Sequence, residues 1–402
     1  MELLKVAVVF IIILAVLNRH KPLYIGMLAG TAALLLLFGI GPAAFGSAAL
    51  TALTSWDTWD VVLAMYVIAI LQRCLDMRSH LTNAQAAMNG LSSDPRLNAS
   101  LASVFIGTMP AAPAVTICGR IIDNMAGDHL EASEKAALAS FVRHIPEGFL
   151  PTFSIILIVT SLSGISVASF VVAMLPMVAV LIAIGFLVYL RRVPKDTASA
   201  GKAGKGESLK LLLRSLWTII AIIAIIIAFN MKASVAAGLV VAVNFVTDRF
   251  NLKEVKDTVI DAFDWKISVG MISIFVFKEV LVSTGVIDLL PEYFSRLPIP
   301  TFMVLALLFF FGTLVGSSAA AGTAFTPLAF TMLPDGGVAL LVLLMGFSWS
   351  AAQLSPTHLC MAVACDDFGV TMTTFIRKTI PMTAIYCVVL VGYYFLLAAV
   401  GI

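Results

Sequence analysis

The sequence predicts an all-α polytopic membrane protein made of two inverted repeats, each with five transmembrane helices and one re-entrant hairpin. Of its 402 residues, 60% are apolar and only 12% are charged, about half the charged share of an average soluble domain. Five stretches contain no Asp, Glu, Lys or Arg, namely 22–56, 148–190, 297–334, 336–365 and 379–402. Since about 20 largely apolar residues cross a bilayer, each stretch holds one or two spans. Landmark residues also recur at a constant offset between the two halves of the chain.

Ten full spans follow from the charge-free runs and the helix breakers between them. They are predicted at 3–18, 23–41, 60–76, 134–162, 166–190, 211–230, 233–249, 266–288, 337–364 and 379–400. Two further apolar segments, 97–126 and 301–332, contain helix breakers midway. Each is predicted to be a re-entrant hairpin of two short helices, because non-helical backbone at membrane depth must be buried in protein or face a water-filled cavity.

Basic residues set the predicted orientation. The segment 191–214 holds seven Lys or Arg residues against two acidic ones, so it is predicted to be cytoplasmic, and counting crossings from it places both termini outside. The expected location is a prokaryotic inner membrane, with the lipid bilayer as partner. A net charge of +2 gives no reason to expect nucleic acid. Five irregularly spaced cysteines argue against a disulfide framework.

The two halves share a register. Trp59 and Trp265 are 206 positions apart, and both Gly107-Thr108/Gly312-Thr313 and Pro151-Thr152/Pro356-Thr357 are 205 apart. The predicted organisation is a first repeat over 1–195, a basic cytoplasmic linker over 196–210 and a second repeat over 211–402. Five crossings per half would invert the second repeat. Inverted repeats with broken helices near the midplane recur in secondary transporters.

This order of spans, hairpins and broken elements resembles the ion-transporter superfamily, which includes citrate, dicarboxylate and gluconate permeases and some sodium/proton antiporters. Segment 346–359, GFSWSAAQLSPTHL, is similar to a poorly characterised integral-membrane branch of it. The dicarboxylate branch carries Ser-Asn-Thr at both hairpin tips, whereas the tips here read Gly-Thr-Met-Pro and Gly-Thr-Leu-Val, so that substrate is not implied. The resemblance implies a homodimeric elevator transporter. Its scaffold helices would lie in 1–80 and 211–290, and its moving transport parts in 95–192 and 300–402.

The hairpin tips and the broken spans supply the predicted substrate and ion site. Hydroxyls, free carbonyls and half-helix N-termini gather there, which suits an anionic group or a sodium ion. Small residues that let helices pack closely are the alternative interpretation of the tips, and a merely kinked helix that of the broken spans. The predicted binding residues are Thr108, Met109, Pro110, Thr152, Thr313, Gly316, Ser317, Ser318, Ser355, Thr357 and His358.

Three ionisable residues, Arg143, His144 and Glu147, are predicted to lie within the bilayer, because the repeat register maps them onto the charge-free ninth span. Such groups are costly in a membrane and usually functional. Arg143 could clamp a carboxylate, and His144 and Glu147 could exchange protons. An Arg143–Glu147 pair that only holds the broken helix is the alternative.

Together these features predict a secondary transporter, driven by an ion gradient, that moves a small organic anion. Na⁺ or H⁺ is the expected coupling ion, since hydroxyl-rich tips suit the first and His144 with Glu147 the second. A cation/proton antiporter of the same fold is the main alternative, ahead of a channel or an intramembrane enzyme. An enzyme would need a zinc site from His144, Glu147 and His358 or Cys360, and Pro146 spoils the shared helical face. No metal, other cofactor or enzymatic activity is therefore predicted.

Overall fold

The computed structural model describes residues 2–18, 21–80, 83, 87, 94–108, 113–194, 205–286, 298–356 and 358–401. Within these ranges the chain is all-helical and forms 18 α-helices without a strand. In the first half they are α1 Glu2–Asn18, α2 Leu23–Phe38, α3 Pro42–Thr54, α4 Trp56–Met77, α5 Pro95–Gly107, α6 Pro113–Ala126, α7 Ala132–Arg143, α8 Ser154–Ser163 and α9 Val167–Val188. In the second half they are α10 Lys205–Phe229, α11 Ala233–Thr247, α12 Leu252–Asp261, α13 Trp265–Ser283, α14 Thr301–Val315, α15 Ser318–Met332, α16 Gly337–Ala352, α17 Leu359–Phe368 and α18 Met372–Val400.

The last five helices of the two halves begin in one register. The first residues of α5 and α14 are 206 positions apart, and those of the four following pairs, α6/α15 to α9/α18, are 205 apart. Both predicted hairpins are pairs of helices, and both predicted broken spans are interrupted. The first break lies between α7 and α8 and contains a 3₁₀-helix, Ile145–Gly148, and the second lies between α16 and α17.

Helix boundaries repeat in their details as well. Gly164 ends α8 and Gly369 ends α17, both in the left-handed conformation that glycine adopts without strain (φ 72° and 62°). Ser166 then caps α9 by accepting a hydrogen bond from the N–H of Ser169. Thr371 caps α18 in the same way, accepting from the N–H of Thr374. The same turn chemistry therefore stands 205 positions apart.

Helices of the two halves pack across one another. The second helix of each hairpin contacts the helix after the break in the other half, so that α15 packs on α8 and α6 packs on α17. Likewise α7 packs on α18 and α9 on α16. A second group is formed by α1 to α4 with α10 to α13, in which α13 packs on α2, α3 and α4, and α11 packs on α4. Helix α16 is buried along nearly its whole length, which explains why its sequence is apolar on every face.

Fewer helices than predicted have the length and composition of a complete span. Among the described residues there are five: Trp56–Met77, Val167–Val188, Gly206–Phe229, Pro334–Ala352 and Met372–Val400. Five shorter apolar helices accompany them. The predicted spans 134–162 and 337–364 are each split by a break, and 266–288 carries Lys266, Lys278 and Glu279 within α13. A hydropathy profile counts apolar residues and does not register where the backbone leaves the helical conformation.

Two short helices, α3 and α12, were not predicted. Gly39 (φ 66°) ends α2 and Pro42 opens α3, and Asn251 with Glu254 forms a capping box at the start of α12. Asp123, near the end of α6, bonds to Lys135 of α7, with Nζ and Oδ1 2.7 Å apart.

Candidate functional site

A cavity of about 280 Å³ lies where three interruptions of the helices meet. One is the break between α7 and α8, the second is the tip between α14 and α15, and the third is the break between α16 and α17. The lining residues are Glu147, Phe153, Ser154, Ile155, Thr313, Gly316, Ser317, Ser318, Ala319, Ala352, Ser355 and His358. The cavity is therefore built from both halves of the chain.

Trp349 of α16 stabilises the first break. Its indole N–H donates to the backbone carbonyl of His144 at 2.7 Å, which is the carbonyl at the point where α7 ends. Gly148 lies against the same indole ring, so close that an added Cβ would lie 3.3 Å from it. Pro146 keeps the intervening turn out of the α-helix. This packing presents the carboxylate of Glu147 to the cavity and starts α8 afresh at Ser154.

The hairpin tip between α14 and α15 supplies most of the hydroxyl groups. Ser317 is extended and caps α15, accepting a hydrogen bond from the N–H of Ala320 at 3.1 Å. Thr313 is 1% exposed, and its hydroxyl lies 2.7 Å from that of Ser348 in α16. The pair satisfies both buried hydroxyls and fixes the tip against α16.

The third interruption runs from the end of α16 to His358. The Ser355 hydroxyl donates to the carbonyl of Leu314 at 2.9 Å, so this break is tied to the hairpin tip. His358 follows and lines the cavity. Its ring packs edge to face on that of His144, with centroids 5.1 Å apart.

Charges at the cavity come from the first break. Glu147 is the charged side chain among the described lining residues. Its Oε2 atom lies 3.9 Å from Nη1 of Arg143 and 3.9 Å from Nε2 of His144. Both partners are buried behind it, and Arg143 also reaches Sγ of Cys360 at 3.7 Å. The predicted Arg143–Glu147 proximity is present, and of the two residues Glu147 lines the cavity and Arg143 does not.

Seven of the predicted site residues meet in this cavity: Glu147, Thr313, Gly316, Ser317, Ser318, Ser355 and His358. Predicted residues Met109, Pro110 and Thr357 lie outside the described residues.

Thr108, Thr152, Arg143 and His144 do not line the cavity, so the predicted convergence is partial. Thr108 ends α5 and bonds to the carbonyl of Phe105. Thr152 is buried beside the lining residue Phe153, and Arg143 and His144 occupy the layer behind Glu147. The repeat register pairs equivalent positions in the two halves of the chain. It does not show which residue of such a pair has its side chain facing the cavity.

Sequence reasoning missed the start of α8. Ser154 and Ile155, its first two residues, line the cavity, as do Ser318 and Ala319, the first two residues of α15. The first N–H groups of a helix have no partner within it. Two helix N-termini, one from each half, therefore face the same space, and their dipoles make it favourable for negative charge. The Pro-Thr pair before Ser154 was the signal that could have located α8.

These features define the class: a multi-pass α-helical membrane protein with a cavity formed by helix interruptions from both halves. The chain belongs to the family described as "Protein of unknown function (DUF401)", whose profile matches residues 2–397. Its fold is similar to the crystal structure of the Alcanivorax borkumensis YdaH transporter, with a TM-score of 0.63 and 14% sequence identity over 87% of this chain and 86% of that one. A comparison with curated protein sequences finds no match. At that identity the likeness is one of fold, and the resemblance to citrate and dicarboxylate permeases stays a prediction.

Proposed function

We propose that this protein is a secondary transporter that carries a small organic anion, a carboxylate, together with H⁺ or Na⁺. The observation that carries the proposal is the cavity itself, in which the N-termini of α8 and α15 and one carboxylate share about 280 Å³. The fold similarity to a transporter supports the general class. The substrate and the coupling ion follow from the chemistry of the lining.

Anion binding would use the free N–H groups at the starts of α8 and α15. No side chain of the described residues caps the N-terminus of α8, so its first amides can bind a ligand. The hydroxyl groups of Ser317 and Ser318 stand at the start of α15. Backbone amides at helix N-termini bind carboxylates without a neighbouring cation, which suits a cavity that Arg143 does not line.

Glu147 would couple the anion to the cation. When ionised, it repels a carboxylate in the same small cavity. Once a proton or a sodium ion neutralises it, the two helix N-termini are unopposed and the anion can bind. The anion therefore binds favourably only after the cation has bound. This order couples the movement of the anion to the gradient of the cation. Oxygens of Thr313, Ser355 and Glu147 are the candidate ligands for sodium.

An elevator movement and an inverted repeat belong to the same proposal. The constant register of α5–α9 with α14–α18 supports a repeat. The packing of α1–α4 with α10–α13 supports a scaffold, distinct from the helices that enclose the cavity. We further propose a homodimer formed by the scaffold, in a prokaryotic inner membrane, with both termini outside.

Cation/proton antiport is the second candidate, and Glu147 favours it. A carboxylate is the charged group of the described cavity lining, and antiporters need such a group to exchange Na⁺ for H⁺. The two candidates differ in whether an organic anion is carried.

Solid-supported-membrane electrophysiology on proteoliposomes distinguishes the two. Mono-, di- and tricarboxylates are applied one at a time, with and without sodium, at two pH values. A sodium- or pH-dependent current with one anion supports symport, and Thr313→Ala should then reduce the current. Thr51→Ala, an exposed threonine of α3 whose hydroxyl bonds only to its own helix, is the matched control. If no anion produces a current and protons move when sodium is applied, antiport would replace symport as the proposed function.

A further inference from the structure

Three potential metal ligands converge at the wall of the cavity. His144 ends α7, and His358 and Cys360 stand at the start of α17. Each residue offers one ligand atom, a ring nitrogen or the Sγ atom, and these three atoms all lie within 4.8 Å of one another. These residues come from the two different halves of the chain, so neither half alone assembles the cluster.

One ring nitrogen of His144 has no hydrogen-bond partner within the described part of the chain. Its Nδ1 atom lies 2.6 Å from the backbone carbonyl of Ser140. A carbonyl oxygen only accepts hydrogen bonds, so Nδ1 carries the proton and Nε2 presents a lone pair. Nε2 is buried, and no hydrogen-bond partner for it is present among the described residues, since Glu147 Oε2 is 3.9 Å away. Metal-binding histidines characteristically donate their other N–H to a carbonyl in this way.

We propose that His144, His358 and Cys360 bind one zinc-class divalent ion. Two imidazoles and a thiolate are a donor set that selects borderline and soft transition metals over Mg²⁺ or Ca²⁺. Tetrahedral zinc places such ligand atoms about 3.3 to 3.8 Å apart, so the cluster needs to contract by about 1 Å at its widest separation. Rotation of the partly exposed Cys360 and His358 side chains supplies that contraction.

Two neighbouring charges act on a bound divalent ion in opposite directions. Arg143 contacts Cys360 Sγ at 3.7 Å and would move off the sulfur when an ion binds there. The Glu147 carboxylate lies 3.9 Å from both Arg143 Nη1 and His144 Nε2. Its negative charge would therefore stabilise the guanidinium and the ion together. Displacing Arg143 opposes binding, so a moderate affinity is expected, weaker than that of closed structural zinc sites.

Three protein ligands leave a fourth position open, as in zinc sites that bind water or substrate. His358 lines the cavity, so the ion would lie at the cavity wall. The sequence-based argument against zinc assumed that the ligands share a helical face. The structure assembles the cluster from α7 and α17, and Pro146 does not interfere with that. This inference does not depend on the transport proposal.

Cobalt is the spectroscopic probe for the site. The purified, tag-free protein in detergent is titrated with Co²⁺, and Zn²⁺ affinity is obtained by competition with a chelator. One Co²⁺ per chain should produce a thiolate-to-cobalt charge-transfer band that Zn²⁺ removes. Cys360→Ser should abolish the band, and His144→Gln should weaken Zn²⁺ binding by at least about tenfold. His358→Cys, which keeps three ligands, should retain one-to-one binding.

Cys387→Ser is the matched control, because this cysteine lies in α18 outside the cluster and its loss should leave the band unchanged. Thermal unfolding of each variant separates loss of the site from loss of the fold. The proposal is overturned if the folded wild-type protein shows no saturable one-to-one binding, or if the charge-transfer band survives Cys360→Ser.

Discussion

Replacing Glu147 by glutamine tests the coupling logic most directly. The substitution keeps the size of the side chain and removes its charge. In the absence of Na⁺ and at high pH, Glu147→Gln should bind the carried carboxylate more tightly than the wild type. At saturating coupling cation the two proteins should bind it equally, because the cation has already neutralised Glu147 in the wild type.

The size of the effect follows from the cavity. A sphere of its volume, about 280 Å³, has a radius of about 4 Å, so a bound carboxylate lies about 5 Å from the Glu147 oxygens. At an effective dielectric constant of about 20, two like charges at that distance repel by about 3.3 kcal/mol, or about 250-fold in affinity. The Glu147 side chain is 24% exposed, and water in the cavity weakens the repulsion. We therefore expect a gain between about tenfold and about 250-fold.

Isothermal titration calorimetry of the carboxylate that gives the largest transport current measures this gain. Asp366→Asn is the control, since Asp366 is an exposed acidic residue near the end of α17 and does not line the cavity. Equal affinities of wild type and Glu147→Gln without cation would refute the reasoning, as would a cation dependence that persists in the variant.

Three further outcomes are expected. Gly107→Ala should destabilise the protein by about 1–3 kcal/mol, because an added Cβ would collide with the backbone carbonyl of Arg143 at the end of α7. Gly46→Ala, where nothing lies within 4 Å, should leave the stability unchanged, and equal unfolding midpoints of the two variants would contradict this packing. Ser317→Ala removes the cap of α15 and should cost about 1 kcal/mol in the free energy of unfolding as well as lowering the transport rate, and a variant with wild-type values in both assays would show that the cap is unimportant. Hydrogen bonds from Arg78 lower the pKa of the Glu254 carboxyl, so this contact stabilises the fold at neutral pH and loses its effect as the pH falls through that lowered pKa. Glu254→Gln should accordingly lower the unfolding midpoint near neutrality and converge with wild type in acid, and a difference that grows in acid would disprove the contact.

Much of the fold was predictable because membrane insertion restricts what a sequence can be. Apolar runs must be helical when no water is available to their backbone, and helix breakers within them are conspicuous. The interruptions at Pro151 and Pro356 and the hairpin at Gly316 were found in this way. The short helices α3 and α12 were missed, because they depend on a left-handed glycine and on a capping box that hydropathy does not register.

The candidate site was predictable in part for the same reason. Thr313, Ser317 and Ser355 lie next to helix breakers, and the cavity forms where the interrupted helices meet. Arg143 and His144 were assigned to the site together with Glu147, as ionisable residues that the register locates within the bilayer. The structure places Arg143 and His144 behind the cavity. Cys360 was considered only with a zinc enzyme, since its distance from His144 in the chain gives no sign that they meet.

The sequence by itself determined that the chain is an all-helical membrane protein with interrupted helices, because charge content and helix breakers act locally. The tertiary structure decided which interruptions share one cavity and which side chains face it. Helix packing between the halves sets these contacts, through residues such as Trp349 that hold one half against the other. A side chain's direction depends on partners about 200 positions away in the chain, and no local pattern records them.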